Sequence, residues 1–272
     1  MSEAFDLALI QLRVGLSKEG NLERAGRLVG QAAKKGAALV VLPEMFNCPY
    51  EPSYLADFAE EVPGGPTCRF LSSLAAGSRI HLIGGSIPER EGQAVYNTAT
   101  LWDPTGRLLA KYRKVHLFDV NIPGGIVFTE SRWIAPGDRL VLAQTELGAI
   151  GLAICYDLRF PEVFRHLALA GAELIVVPAA FNTTTGPAHW ELLIRARAVE
   201  NTIYLAACGP APDPSVSYPA WGHSLVADPY GWVVASAGQT ETVIYTTFDR
   251  HRLTQVRQAL PVLSQRRPQA YD

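Results

Sequence analysis

The stretch AICYDLRFPE, Ala153 to Glu162, ends an apolar run on a cysteine and crowds Tyr156, Asp157 and Arg159 directly behind it. A structural cysteine needs only apolar neighbours, whereas a reactive one needs access and groups that favour its thiolate. Two further segments place complementary chemistry at apparent strand ends: LPEMF holds Glu44 after a proline, and KYRKVHLFD holds Lys114. A carboxylate at the end of a buried strand costs desolvation free energy unless it is paired or functional, and such carboxylates often have raised pKa values. Cys155, Glu44 and Lys114 thus supply a nucleophile, a base and a cation, the components of covalent catalysis. Taken singly, each has a plainer reading: an inert buried thiol, a helix cap and a solvated strand-end charge.

The elements that must position these residues repeat along the chain. GAALVVLPEMFN (Gly36 to Asn47) and GAELIVVPAAFN (Gly171 to Asn182) align with Pro43 on Pro178. Each reads as a buried strand stopping at proline, preceded by a helical pattern such as NLERAGRLVGQAAKK or PEVFRHLALA, which is the signature of a βαβ-type unit. SRIHLIGGSIPE resembles NTIYLAACGPAP, and TATLWDPTGRLLA resembles HSLVADPYGWVVA, each with an Asp-Pro-x-Gly turn that favours a hairpin. Two such halves facing each other predict an α/β fold with a sheet-on-sheet core and helices outside, a single domain over residues 1–272 with internal pseudo-symmetry. Where the first copy has Glu44 the second has Ala179, a difference that packing does not explain.

Bulk properties narrow the function. The 272 residues are 48% hydrophobic and 18% charged, with 24 Lys plus Arg against 26 Asp plus Glu and a net charge of -2. That composition supports a large core and leaves no excess positive charge to bind a nucleic acid backbone. The opening MSEAFDLALIQLR lacks the basic start, longer apolar core and cleavage site of a signal peptide, and no uninterrupted apolar run approaches the roughly 18 residues of a membrane span. The expectation is a cytoplasmic protein with no membrane partner. Cys48, Cys68, Cys155 and Cys208 form no C-x-x-C pair, so zinc and thioredoxin-like sites are disfavoured and free thiols expected. Neither G-x-S-x-G nor a Rossmann or P-loop fingerprint occurs.

The Glu, Lys and Cys motifs, in this order and over nearly the whole chain, resemble those of the nitrilase superfamily of carbon-nitrogen hydrolases. The resemblance implies a four-layer α-β-β-α sandwich with two pseudo-symmetric halves, a homodimer or larger homo-oligomer, and no metal or organic cofactor. It implies that Cys155 attacks an amide carbonyl while Glu44 takes its proton and later activates water, and that Lys114 and the backbone N–H of Tyr156 stabilise the oxyanion, with Lys114 also holding the thiolate. Glu130, in VFTES, matches a second family glutamate that orients the lysine and the amide. RKVHLFDVNIPGGIVFTES, CYDLRF and FNTTTGPAHWELL are most similar to the omega-amidase branch, whose substrates are 2-oxoglutaramate and 2-oxosuccinamate; an amidase for deaminated glutathione is the alternative. These substrates carry a carboxylate, so Arg159 is the candidate clamp, with Phe181 and Thr185 lining its pocket by analogy.

Other readings stand beside these. Arg159 is equally readable as an ion-pair partner of Asp157 or Glu162. His189 and His223 have no metal-ligand spacing and read as packing or supporting residues. The tail from about residue 250 to 272, broken by Pro261 and Pro268, is expected to pack on a partner subunit. A non-catalytic binding or redox-sensing module built on the same fold is the contrasting class.

Overall fold

The computed structural model describes residues 3–271; Met1, Ser2 and Asp272, the ends of the expected 1–272 domain, lie outside the described residues. The first half forms β1 (Ala4–Gln11), α1 (Lys18–Lys34), β2 (Leu39–Val41), α2 (Pro52–Phe58), α3 (Pro66–Ser78), β3 (His81–Glu91), β4 (Ala94–Trp102) and β5 (Leu108–Arg113). A hairpin of β6 (Asp119–Asn121) and β7 (Val127–Thr129) then leads to the second half. That half comprises β8 (Val141–Thr145), β9 (Gly148–Leu152), α4 (Pro161–Leu169), β10 (Leu174–Pro178), α5 (Gly186–Asn201), β11 (Tyr204–Cys208), β12 (Leu225–Ala227) and β13 (Val233–Ser236). β14 (Thr242–Asp249) returns to the first sheet, and α6 (Arg250–Ala259) follows it.

The duplicated sequence is a duplicated topology. One six-stranded sheet has the order β14-β1-β2-β3-β4-β5 and the other β8-β9-β10-β11-β12-β13 when read from the equivalent edge. In each, an antiparallel edge strand precedes three parallel strands and two antiparallel ones. Both Asp-Pro-x-Gly turns fold alike. Asp103 and Asp228 accept backbone N–H bonds at 2.9 to 3.0 Å from residues two and four positions on.

Strand alternation sorts the side chains into layers. Leu7, Leu9, Leu39 and Val41 belong to the core shared with Leu152, Leu174 and Val176 of the second sheet. Their neighbours Ala8, Ile10, Val40 and Leu42 pack instead with Leu28, Val29, Leu71 and Ala75 of α1 and α3. The helices of the second half, with Phe164, Leu167, Trp190 and Ile194, cover the opposite face. The result is the four-layer α-β-β-α sandwich expected from the sequence. Among the described residues no helix is long and apolar enough to cross a membrane.

The tail turns first to its own chain. Leu253 and Val256 of α6 are buried, Arg250 pairs with Glu173 at 2.9 Å, and Arg257 donates to the carbonyls of Thr202 and Ala172. Beyond the helix, Leu260, Val262 and Tyr271 are exposed.

One irregularity in β3 fixes the end of β2. The ladder with β4 slips between Ile83 and Ser86, where Gly85 has φ +57°. The displaced strand clasps the chain around Glu44: Ser86 N–H donates to Pro43 O at 3.2 Å, and Met45 N–H to Ser86 Oγ at 3.1 Å. A Cβ on Gly85 would lie 2.1 Å from Pro43 O. Gly85→Ala is therefore expected to lower unfolding free energy by about 2 kcal/mol or more, combining left-handed strain with a backbone clash, and to reduce activity by displacing Glu44. Denaturant titration checks the first effect and a rate assay the second.

Candidate active site

Three strand ends of the two sheets converge. Glu44 follows Pro43 beyond β2, Lys114 directly follows β5, and Cys155 opens a 3-10 turn, Cys155–Arg159, beyond β9. Cys155 itself has φ +46°, a conformation that L residues avoid and that costs about 1 to 2 kcal/mol. Glu130 comes from the 3-10 turn after β7, Asn97 from β4, and Tyr50 from the loop before α2.

The Lys114 side chain is completely buried, as is that of Glu44. Lys114 Nζ donates to Glu44 Oε1 at 3.0 Å, to Glu130 at 2.9 Å (Oε2) and 3.2 Å (Oε1), and to Tyr50 Oη at 3.3 Å. Asn97 Nδ2 bridges the carboxylates, reaching Glu44 Oε1 at 2.8 Å and Glu130 Oε1 at 3.3 Å. Tyr50 Oη and the Phe118 N–H complete the coordination of Glu130 at 3.2 and 2.6 Å. Glu44 Oε2 alone of the four carboxylate oxygens is buried without a hydrogen bond.

This arrangement sets the protonation states. Burial raises the Glu44 carboxyl above its ordinary value, against the pull of Lys114 and with the push of Glu130. Burial also opposes the charge on Lys114, but Glu130 and Glu44 outweigh it and hold the ammonium well above its usual range. Burial and then the Glu44 charge push the Cys155 thiol well up, and Lys114 only partly offsets them. Burial thus favours the thiol, while Lys114 pulls in the direction of the thiolate. Glu44 and Cys155 each alter the other's ionisation. The Ala180 N–H approaches Cys155 Sγ at 3.5 Å.

The remaining sequence candidates share one small cavity with the sulfur. Tyr156, Arg159, Phe181 and Thr185 line it with Cys155, joined by Phe118, Asn182 and Tyr218, and it leaves a volume of about 10 Å³, room for roughly one water. Tyr156 is the second residue of the 3-10 turn, where an N–H has no acceptor within the turn. Arg159 meets neither Asp157 nor Glu162: among the described residues no carboxylate pairs with it. It contacts His189 Nδ1 at 3.1 Å and lies over the rings of Phe181 and Tyr156 at 5.2 and 5.6 Å. Thr185 is tied to Asn182 Oδ1 through its N–H at 3.1 Å. Outside, Tyr50 and Tyr218 also border an open vestibule of about 590 Å³ that includes Arg132, Trp133 and Thr184.

Sequence reasoning missed Tyr50, Asn97, Asn182 and Tyr218. Only Asn97 carried a usable signal, a buried amide inside an apolar strand. Cys48, Cys68 and Cys208 are buried, and burial raises each thiol to about 12, the state of inert core cysteines. No group of residues suited to hold a metal ion occurs among the described residues.

A paired-carboxylate, lysine and cysteine centre at the strand ends of an α-β-β-α sandwich defines a hydrolase of the nitrilase type. The carbon-nitrogen hydrolase family model matches residues 6–258, and the chain belongs to that family. It is 51% identical to omega-amidase NIT2 of Mus musculus over 267 residues, 98% of this chain and 96% of that protein. With omega-amidase NIT2 of Homo sapiens it shares 48% over 268 residues, 98% and 97% of the two chains. Nit3 of Saccharomyces cerevisiae, a member of branch 10 of the nitrilase superfamily, superimposes with a TM-score of 0.90 at 40% identity, covering 98% of both chains.

Two outcomes follow from the site's electrostatics. Lys114→Met leaves two buried carboxylates facing each other without their cation, and unfolding experiments should show a loss of about 3 to 5 kcal/mol. In a pH profile of kcat/KM, the acid limb should have an apparent pKa above the ordinary carboxylate value of 4.5, belonging to the coupled cluster rather than to Glu44 alone. Activity is then lost as pH falls through that raised value. A limb at or below 4.5 contradicts the assignment of Glu44 as base.

Proposed function

We propose that this carbon-nitrogen hydrolase acts on amides as an omega-amidase, releasing ammonia from the terminal amide of a small carboxylate-bearing acid, 2-oxoglutaramate or 2-oxosuccinamate, through a thioester on Cys155. In the first half-reaction Cys155 Sγ attacks the amide carbon as its proton passes to Glu44, which then protonates the leaving nitrogen as the C–N bond breaks. In the second, water attacks the thioester, gives its proton to Glu44, and the released thiol recovers it. The oxyanion of each step takes the Tyr156 N–H and one N–H of Lys114. An ammonium has three donors, so the weakest of its present contacts, that to Tyr50 Oη at 3.3 Å, is the one the oxyanion displaces.

The observation that carries the substrate assignment is the Arg159 guanidinium, without a carboxylate partner among the described residues, on the wall of the cavity that holds Cys155. A fixed fork of donors there suits a substrate carboxylate. The relatives named omega-amidase at about half identity support the same reading. The vestibule favours one second reading. Deaminated glutathione carries a dipeptide beyond the amide that is cleaved, and a 590 Å³ space containing Arg132 suits such an extension and its terminal carboxylate.

Hydrolysis of the three substrates, followed as ammonia from the two monoamides and as free dipeptide from deaminated glutathione, separates the readings; the omega-amidase reading expects the two small monoamides to be turned over with the higher kcat/KM. Arg159→Met should raise KM about tenfold or more for 2-oxoglutaramate and leave a neutral amide such as propionamide unaffected. Cys155→Ala should fold and release no ammonia. Equal release by that variant rules out the thioester.

A further inference from the structure

Asp157 has no part in the steps above, yet its carboxylate is completely buried. Its Oδ2 accepts the Ile154 N–H at 2.8 Å and the Tyr112 hydroxyl at 2.7 Å, and its Oδ1 accepts the His116 N–H at 3.1 Å and lies 2.8 Å from His116 Nδ1. The donors come from opposite sides of the active site. Ile154 immediately precedes Cys155, whereas Tyr112 and His116 stand two residues before and two after Lys114. Tyr112 belongs to β5 of one sheet, and Asp157 follows β9 of the other.

Two further contacts close the brace. The His116 ring lies flat on Phe160, centroids 3.6 Å apart and planes 10° apart, and Phe160 ends the turn that Cys155 opens. The Val115 N–H reaches Tyr112 Oη at 3.4 Å, drawing the residue after Lys114 into the same group. The Asp157 carboxylate is thus anchored within the cysteine turn by the Ile154 N–H and tied across to the lysine segment by Tyr112 and His116.

We propose that Asp157 is a positioning residue, a carboxylate brace that fixes the Cys155–Tyr156 turn relative to Lys114 and so sets the spacing of the two oxyanion donors. The proposal rests on the roles given above to Cys155, Tyr156 and Lys114. Donors of this kind act only within a few tenths of an ångström of the oxyanion, and a displacement of about 1 Å costs roughly 10² in rate. In Asp157→Asn the amide NH₂ must face N–H or O–H donors on one side, which opens the brace without removing volume. Tyr112→Phe removes one donor and keeps the ring in the core.

The test uses the full chain with 2-oxoglutaramate or whichever amide the wild type hydrolyses best, alongside Cys155→Ala. Asp157→Asn is expected to lower kcat about 100-fold with KM within about threefold, and Tyr112→Phe to lower kcat about tenfold with the thermal midpoint little changed. Because both act through one network, the double variant should be no slower than Asp157→Asn alone. Unchanged kcat per folded molecule in both single variants, a rise in KM in place of a fall in kcat, or additive effects in the double variant overturn the brace. If Asp157→Asn does not fold, Tyr112→Phe decides by the same kcat criterion. Should Cys155→Ala remain active, it is the thioester reading that fails, and the Asp157 result is then read separately.

Discussion

A lysine ammonium with no exposed surface, held between two buried carboxylates, is the interaction on which the rest of this structure depends. Desolvating three charges costs several kcal/mol for each, and the mutual attraction offsets this only with close geometry and with the remaining polar atoms bonded. Asn97, Tyr50 and the Phe118 N–H supply those bonds around Glu130 and Glu44 Oε1. They leave Glu44 Oε2 unbonded in a site where burial has already raised the carboxyl. The cluster thus stabilises one carboxylate and keeps the other in need of a proton.

Internal duplication explains how a rigid frame acquires that asymmetry. Leu9 pairs with Val41 in the first sheet and Leu152 with Val176 in the second, so the matching strand pairings place Leu12 at the position of Cys155, and the alignment of Pro43 with Pro178 places Ala179 at that of Glu44. Each half keeps the strand order and hairpin geometry while carrying chemistry at only one of these two points. The first half supplies the carboxylate and the cation, and the second supplies the sulfur. Facing the sheets brings the differing strand ends together, and the equivalent Leu12 and Ala179 remain apolar and buried.

Much of this was legible in the sequence because strands advertise themselves by apolar runs and chemistry by charge where such runs stop. Glu44, Lys114 and Cys155 all sit at that kind of boundary, and the paired segments around Pro43 and Pro178 exposed the duplication. What was not legible is what depends on convergence of distant segments. Tyr50 follows a cysteine and a proline in an unremarkable loop, and Asn182 and Tyr218 owe their place in the cavity to chain reversals no periodicity encodes. The positive φ of Cys155 had no glycine to announce it. Arg159 had two open readings, and only the commitment of Asp157 to other donors removes the ion pair. The charge near Cys155 is likewise visible in sequence, whereas the depth of burial that opposes its thiolate is not.

The central claim is that Glu44 and Cys155 act as one proton-sharing unit organised by Lys114. The rate of Cys155 alkylation by iodoacetamide as a function of pH, followed by intact mass in wild type and Glu44→Gln, tests it most directly. The account predicts that wild-type reactivity rises with ionisation of the carboxylate cluster and that Glu44→Gln reacts about 100-fold or more slowly at neutral pH, as expected for loss of a general base. Equal alkylation rates in the two proteins across the pH range would contradict it.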